Sequence, residues 1–321
     1  MTDRPILAVL HDGDLPAGMD EVEARFDVRY ATADTLADAV DGADALLLWD
    51  FFSSALREVW PRCGSLRWVH IAAAGVDTLL FDELVSSDVV VTNARGVFDL
   101  PIAEFVLGSV LALAKDVRRT VELGREARWL HRETDNISGA RALVIGTGSI
   151  GRATARLLRA VGMDVSGVGR TARTGDADFG TVHASTDLQS VVPGFDYLVL
   201  IAPLTDATRG LVGTHVLDAA DPGVRVINVG RGELLDTDAV VDALQSGHVG
   251  GAALDVFDTE PLPADHVLWT LDNVLLTAHM SGDTVGWRDR LAAGFTRNAA
   301  LFAAGEPLVN VVDKELGFVS S

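Results

Sequence analysis

The stretch "ALVIGTGSIGRATARLLRAVG" limits what this chain can fold into more than any other. A strand-like apolar run, Ala142 to Ile145, leads into Gly146, Gly148 and Gly151, and a helical pattern with apolar Ile150, Ala153, Leu157, Leu158 and Val161 begins among those glycines. The G-x-G-x-x-G spacing alone is weak, because glycines are common in turns. Between a strand and a helix it predicts a phosphate-binding turn. Gly146 permits the tight turn, Gly148 lets a pyrophosphate approach the backbone, and Gly151 lets the helix pack closely on the strand. The N–H groups around Ser149 and Ile150, at the positive end of the helix, then face the phosphates.

Such a turn belongs to a parallel sheet flanked by helices, and the rest of the chain has that pattern. Apolar runs at Ile6–Leu10, Val28–Tyr30, Ala45–Trp49, Arg67–Ile71 and Val89–Thr92 precede it. Further runs follow at Asp164–Gly169, Tyr197–Ala202, Val224–Val229, Gly251–Phe257 and Asn273–Ala278. Near-continuous apolar runs are expected of parallel strands covered on both faces. One long helical pattern, Leu100 to Gly124, separates the two series, and another, Val285 to Gly305, follows the second and meets a glycine cap. The expected fold is α/β: two Rossmann/flavodoxin-like, doubly wound parallel-sheet domains with a cleft between them. Residues 100–284 are expected to form the dinucleotide-binding domain. Residues 1–99 with 285–321 are expected to form the substrate domain, the tail helix packing back on the first unit.

The end of the second strand of a dinucleotide fold normally settles which dinucleotide binds, through an acidic side chain that accepts hydrogen bonds from the adenosine ribose. Here "VSGVGRTAR" places Gly169 at that position, followed by Arg170, Thr171 and Arg173. No carboxylate is present to repel a 2′-phosphate. Two guanidinium groups can instead grip it with charge-assisted bonds of about 1.5–3 kcal/mol each. NADP(H) is therefore expected in preference to NAD(H), with NAD(H) still possible. The other reading of both arginines is that they are solvated loop residues.

The remaining composition excludes more than it specifies. With 46 Asp+Glu against 26 Lys+Arg and a formal charge of −20, the chain lacks the basic surface that nucleic acid or an anionic membrane requires. Cys63 is the only cysteine, which rules out an internal disulfide framework or a cysteine-rich zinc site. No metal is expected. The N-terminal sequence has no leader pattern and no run reaches the length of a membrane span, so cytoplasm is the expected compartment.

Three downstream strand ends each carry a chemically suggestive residue: Arg231 in "VINVGRGELLD", Glu260 in "ALDVFDTEPLP" and His279 in "LLTAHMSGDT". Each alone has a structural explanation. Together, just beyond the carboxyl ends of consecutive parallel strands, they line the expected ligand crevice.

With these motifs the chain resembles the D-isomer-specific 2-hydroxyacid dehydrogenases. The resemblance runs from about Ala73 to Asp283 through "VVVTNARGVFDLPIAEFVLGSVLALAKDVRR", the glycine turn, "APLTDATRGLV", "INVGRGELLDTDAVVDAL", "GGAALDVFDTEPLP" and "NVLLTAHMSGDT", in the family order. It implies hydride transfer between NAD(P)H and a small 2-oxo or D-2-hydroxy acid. Arg231 would bind the substrate carboxylate, His279 would exchange the proton, and Glu260 would orient His279. Backbone N–H groups near Gly75 and Val76 would add to the carboxylate site. Asp255 and His279 would lie on the nicotinamide side, and Pro203, Thr208, Val229 and Gly230 would line the cofactor cleft. "VGRTAR" is similar to the NADPH-preferring glyoxylate and hydroxypyruvate reductases, whereas Glu260 stands where formate dehydrogenases carry glutamine.

Two aromatic stretches remain. Trp49, Phe51 and Phe52 in "LLWDFFSS" read either as core or as a substrate wall, and in the second case a bulky acid such as phenylpyruvate competes with glyoxylate. Trp129 in "RWLHRE" reads either as a tryptophan packed on its own subunit or as a contact of the homodimer that the family resemblance implies. A different class of function, a dinucleotide-sensing corepressor of the same fold, is compatible with an intact Arg, Glu and His set.

Overall fold

The near-continuous apolar runs become parallel strands because both of their faces are covered. A computed structural model describes residues 4–319. They divide into two units, one made of the residues up to Phe98 and from Thr284 onward, the other of Asp99–Asp283.

The first unit contains β1 (Ile6–Leu10), β2 (Asp27–Ala31), β3 (Ala45–Leu48), β4 (Trp68–Ile71) and β5 (Val90–Thr92). All are parallel, in the order β2-β1-β3-β4-β5. The tail helix, Trp287–Ala304, belongs to this unit and stops at Gly305, which takes the left-handed conformation with φ 70°. It covers the sheet with aromatic rings: Phe295 and Phe302 stack on Trp68 at 5.6 and 5.2 Å. Beneath them lies a buried polar chain. The Trp68 indole N–H donates to Thr92 Oγ1 at 2.8 Å, and Thr92 Oγ1 bonds His70 Nδ1 at 2.8 Å.

The second unit contains β6 (Arg141–Ile145), β7 (Asp164–Gly169), β8 (Arg173–Asp176), β9 (Gly180–Ala184), β10 (Tyr197–Leu200), β11 (Val224–Asn228), β12 (Val249–Leu254) and β13 (Val274–Leu276). The sheet order is β13-β12-β11-β10-β6-β7-β9-β8. From β9 through β13 every pairing is parallel, and the order reverses at β6 and β10, as in a dinucleotide-binding sheet.

Two local readings of the sequence are corrected. The long helix is two, Asp99–Ala114 and Val117–Arg125, broken where Asp116 takes φ 47°. Aspartate tolerates that left-handed conformation better than most residues, and Arg132 fastens it by donating to Asp116 O at 2.7 Å and Oδ2 at 3.2 Å. The segment after Gly169 is not a plain loop: β8 pairs antiparallel with β9 and extends the sheet edge. Neither strand shows in the apolar pattern, because β9 has one fully buried apolar side chain, Val182, and β8 has none. Among the described residues no helix is long and apolar enough to cross a membrane, and no group of three or more potential metal ligands converges.

Candidate active site

The glycine turn joins β6 to the helix Ser149–Ala160, and each glycine is explained by what a Cβ atom would meet. At Gly146, where φ is 120°, it would lie 2.6 Å from the backbone N of Ala202. At Gly151 it would lie 1.9 Å from the carbonyl oxygen of Gly146. At Gly148 it would meet nothing within 4 Å, so protein packing does not account for this glycine, whereas a closely approaching pyrophosphate does. Ser149 Oγ donates to Asp99 Oδ1 at 3.0 Å, which leaves its backbone N–H, with that of Ile150, as the group at the helix N-terminus. The cradle fits a dinucleotide.

At the end of β7 a Cβ on Gly169 would sit 3.0 Å from Thr147 Oγ1, so an acidic side chain there would crowd the turn. Arg170 and Thr171 are exposed beyond it. Arg173 requires a correction. It is the first residue of β8, and its Nε and Nη2 both lie 2.9 Å from Asp176 Oδ2, so it is an ion-paired strand residue and not a solvated loop cation. The same carboxylate accepts from Arg152 Nη1 at 3.0 Å and Nη2 at 3.1 Å, which ties the β8 edge to the first turn of the phosphate helix. The Arg152 pair, assisted by Arg173 and the backbone N–H groups of Asp178 and Phe179, outweighs burial and holds the Asp176 carboxyl well below the usual range.

Of the other predicted cofactor residues, Pro203 and Thr208 form the turn after β10, closed by Thr208 Oγ1 donating to Pro203 O at 2.7 Å. Val229 and Gly230 are buried beyond β11.

Arg231, Glu260 and His279 follow β11, β12 and β13, three adjacent parallel strands. Each lies on a turn shaped by buried groups. Asn228, fully buried at the end of β11, donates its amide to Arg231 O at 2.8 Å and accepts from Gly230 N at 3.1 Å. Gly232 lets this turn lie against the next strand's exit, since a Cβ there would fall 2.0 Å from the carbonyl carbon of Phe257. Glu260 Oε1 accepts the Phe257 N–H at 2.9 Å, and Glu260 Oε2 lies 2.8 Å from His279 Nδ1. Burial pushes the Glu260 carboxyl up. The His279 hydrogen bond, the Phe257 N–H and the charges of His279 and Arg231 pull it further down, so it sits below its ordinary value. An ionised Glu260 only accepts, so Nδ1 carries the proton of this bond.

Asp255 is expected on the nicotinamide side. It is wholly buried at the end of β12, and its carboxylate is occupied by the protein: Oδ1 accepts from Thr277 Oγ1 at 2.5 Å and from Met280 N at 2.9 Å, and Oδ2 accepts from Ser281 N at 2.9 Å. Its carbonyl oxygen accepts the His279 N–H at 2.7 Å. These contacts anchor the turn on which His279 adopts φ 51°. Asn228, Asp176 and this role of Asp255 were not read from the sequence; a polar residue ending an otherwise apolar strand is the signal available for the first and last.

In the other unit, Gly75 and Val76 follow β4. Asn93 Nδ2 donates to Ala74 O at 2.6 Å and Ala94 N to Ala73 O at 2.9 Å, which fixes the turn. Among the described residues the N–H groups of Gly75 and Val76 have no protein acceptor.

Residues 107–281 match the model of the D-isomer specific 2-hydroxyacid dehydrogenase NAD binding domain. A glyoxylate reductase of Thermococcus gammatolerans is 30% identical over 306 residues, 92% of this chain and 90% of that protein. A D-isomer specific 2-hydroxyacid dehydrogenase from Xanthobacter autotrophicus Py2, solved with NADPH and MES, is 30% identical with a TM-score of 0.85, covering 98% of this chain and 100% of that one. An NADPH-dependent glyoxylate/hydroxypyruvate reductase from Sinorhizobium meliloti, solved with NADP and sulfate, is 25% identical with a TM-score of 0.80, covering 98% and 100%.

Proposed function

The chain belongs to the D-isomer specific 2-hydroxyacid dehydrogenases, and from that premise we propose that it reduces small 2-oxo acids to D-2-hydroxy acids with NADP(H) in preference to NAD(H). The observation that carries the reading is the 2.8 Å contact between His279 Nδ1 and an ionised Glu260, on strand ends next to Arg231.

A bound nicotinamide supplies the hydride. Arg231 holds the substrate carboxylate in a bidentate fork. His279 Nε2 delivers the proton to the carbonyl oxygen as it becomes an alkoxide. Glu260 keeps the ring oriented and stabilises the imidazolium that donates.

Gly169, the exposed Arg170 and the neighbouring Arg152–Asp176–Arg173 group support the phosphate-bearing cofactor. Arg170 is assigned the grip on the 2′-phosphate, and Arg173 the flank of that site. The NADPH and NADP in the two solved relatives agree with this choice. Glyoxylate and hydroxypyruvate are the first substrates indicated by the named relatives. A fully exposed Trp129, with half-exposed Leu130 and Val121 nearby in sequence, supports a homodimer that covers them. The single, buried thiol of Cys63, pushed up to about 11 by burial, suits a reducing cytoplasm.

An absorbance assay crossing NADPH and NADH with glyoxylate, hydroxypyruvate and pyruvate tests the proposal. Turnover with a lower KM for NADPH is expected. A clear preference for NADH overturns the cofactor assignment, and no turnover with any acid overturns the reaction.

A further inference from the structure

We propose that Asp99, held beside the glycine turn by Ser149, weakens the grip on the cofactor pyrophosphate and so speeds release of the dinucleotide. The inference rests on the dinucleotide reading of that turn and adds the residue that tunes its affinity. Both residues belong to the second unit.

A helix N-terminus attracts anions because its N–H groups lack partners and the dipole is positive there. The helix Ser149–Ala160 offers such an end, and Gly148 before it is open to an approaching group. A basic side chain at this point would strengthen the attraction. The side chain found there is a carboxylate. Asp99, the first residue of the helix Asp99–Ala114, accepts the Ser149 hydroxyl at 3.0 Å in a half-buried contact. Ser149 is itself the first residue of the phosphate helix, so the hydroxyl bonded to Asp99 and the N–H that faces a pyrophosphate share one Cα.

Nothing cancels the charge of Asp99. Among the described residues this is the only hydrogen bond of its carboxylate, and no arginine or lysine pairs with it. Arg152, the basic residue in the first turn of the phosphate helix, is committed elsewhere: its Nη1 donates to Asp176 Oδ1 at 3.0 Å and to Asp178 Oδ2 at 2.9 Å. An anion at the turn therefore meets a favourable dipole, a guanidinium already neutralised by carboxylates, and an uncompensated like charge. Charges closer than a Debye length of about 8–10 Å are felt, and a phosphate bonded to the Ser149 N–H is separated from Asp99 by that one serine.

Helix capping does not account for the contact. An acidic side chain at a helix start satisfies that helix by accepting its free N–H groups, whereas among the described residues Asp99 accepts none of them. A reductase must shed its oxidised cofactor after every cycle, and such release limits the turnover of many enzymes. An opposing charge at the pyrophosphate lowers affinity and shortens the bound lifetime.

The test measures Kd for NADPH and NADP+ by fluorescence titration of the full chain, and the NADPH dissociation rate by stopped flow. Asp99→Asn keeps an acceptor for the serine hydroxyl and removes the charge alone. It is expected to bind both dinucleotides about three- to tenfold more tightly, the effect of one like charge at this range, and to release NADPH more slowly by a similar factor. The gain should shrink at about 1 M salt, where the Debye length is about 3 Å. Asp99→Glu retains the charge and should stay within about twofold of the native Kd. Damage to the fold loosens binding, so it cannot imitate a gain in affinity. If Asp99→Asn binds no more tightly than the native chain, if its gain persists undiminished at high salt, or if Asp99→Glu tightens binding as much, the assignment of Asp99 is overturned while the dinucleotide reading stands. If the native chain and both variants bind neither dinucleotide, that reading falls and the assignment with it.

Discussion

The carboxylate of Asp255, buried at the end of β12, accepts the backbone N–H of Ser281 at 2.9 Å and so clamps the turn that carries His279. Replacing Asp255 by Ala removes a charged acceptor from three donors, each bond being worth about 1.5–3 kcal/mol. The expected result is a melting temperature lower by roughly 10 °C. Turnover should fall by about a hundredfold because the imidazole is misplaced. Thermal unfolding and steady-state kinetics on the same preparation measure both, and unchanged turnover would refute the anchoring role.

His279→Ala is expected to reduce turnover by about two to four orders of magnitude, the usual contribution of a positioned acid. Glu260→Gln keeps a hydrogen-bonding group of the same size but removes the charge, so a smaller loss is expected, in kcat more than in substrate KM. A His279→Ala enzyme that retained near-native kcat would exclude the imidazole as proton donor.

The glycines separate folding from binding. Gly151→Ala sets a methyl group 1.9 Å from a backbone oxygen and should destabilise the fold. Gly148→Ala meets no protein atom within 4 Å, so its melting temperature should stay within about 2 °C of the native value. Its cofactor KM should rise at least several-fold. Equal cofactor KM values in Gly148→Ala and native enzyme would remove the pyrophosphate from this turn.

Arg170→Ala should raise the KM for NADPH by about 10- to 100-fold, the equivalent of one charge-assisted contact, with little change for NADH. An equal effect on both cofactors would point to a structural role for Arg170 instead of a grip on the 2′-phosphate.

His70 makes the fold sensitive to acid. Burial pushes its imidazole down to about 3, whereas the unfolded chain takes up the proton near pH 6.5. Above that pH both states are neutral and the contribution to stability is complete. As pH falls below it, the unfolded state binds the proton and the folded state does not, so stability declines by up to about 1.4 kcal/mol per pH unit toward pH 3. Between about pH 6.5 and 5.5 the carboxylates remain largely ionised, so the difference in denaturant midpoint there between the native chain and a His70→Gln variant reports His70 apart from the other histidines. A flat difference across that interval would contradict it.

The amino-acid sequence by itself determined what depends on neighbours along the chain. Gly146 and Gly151 were legible because a strand-to-helix turn imposes local steric demands, and the strand-end positions of Arg231, Glu260 and His279 because each follows an apolar run of a buried strand. Tertiary structure decided what depends on partners distant in sequence. The pairing of β8 with β9 turned the expected loop at Arg173 into a strand whose guanidinium meets Asp176. Arg132, sixteen residues on, fastens the break at Asp116 that helical periodicity reads through. Asp255 became an anchor because the turn after β13 brings Met280 and Ser281 to it. Periodicity and spacing report which face of an element is covered; they carry no record of which buried donor will find which acceptor, since that is set only when strands far apart in the chain come into register.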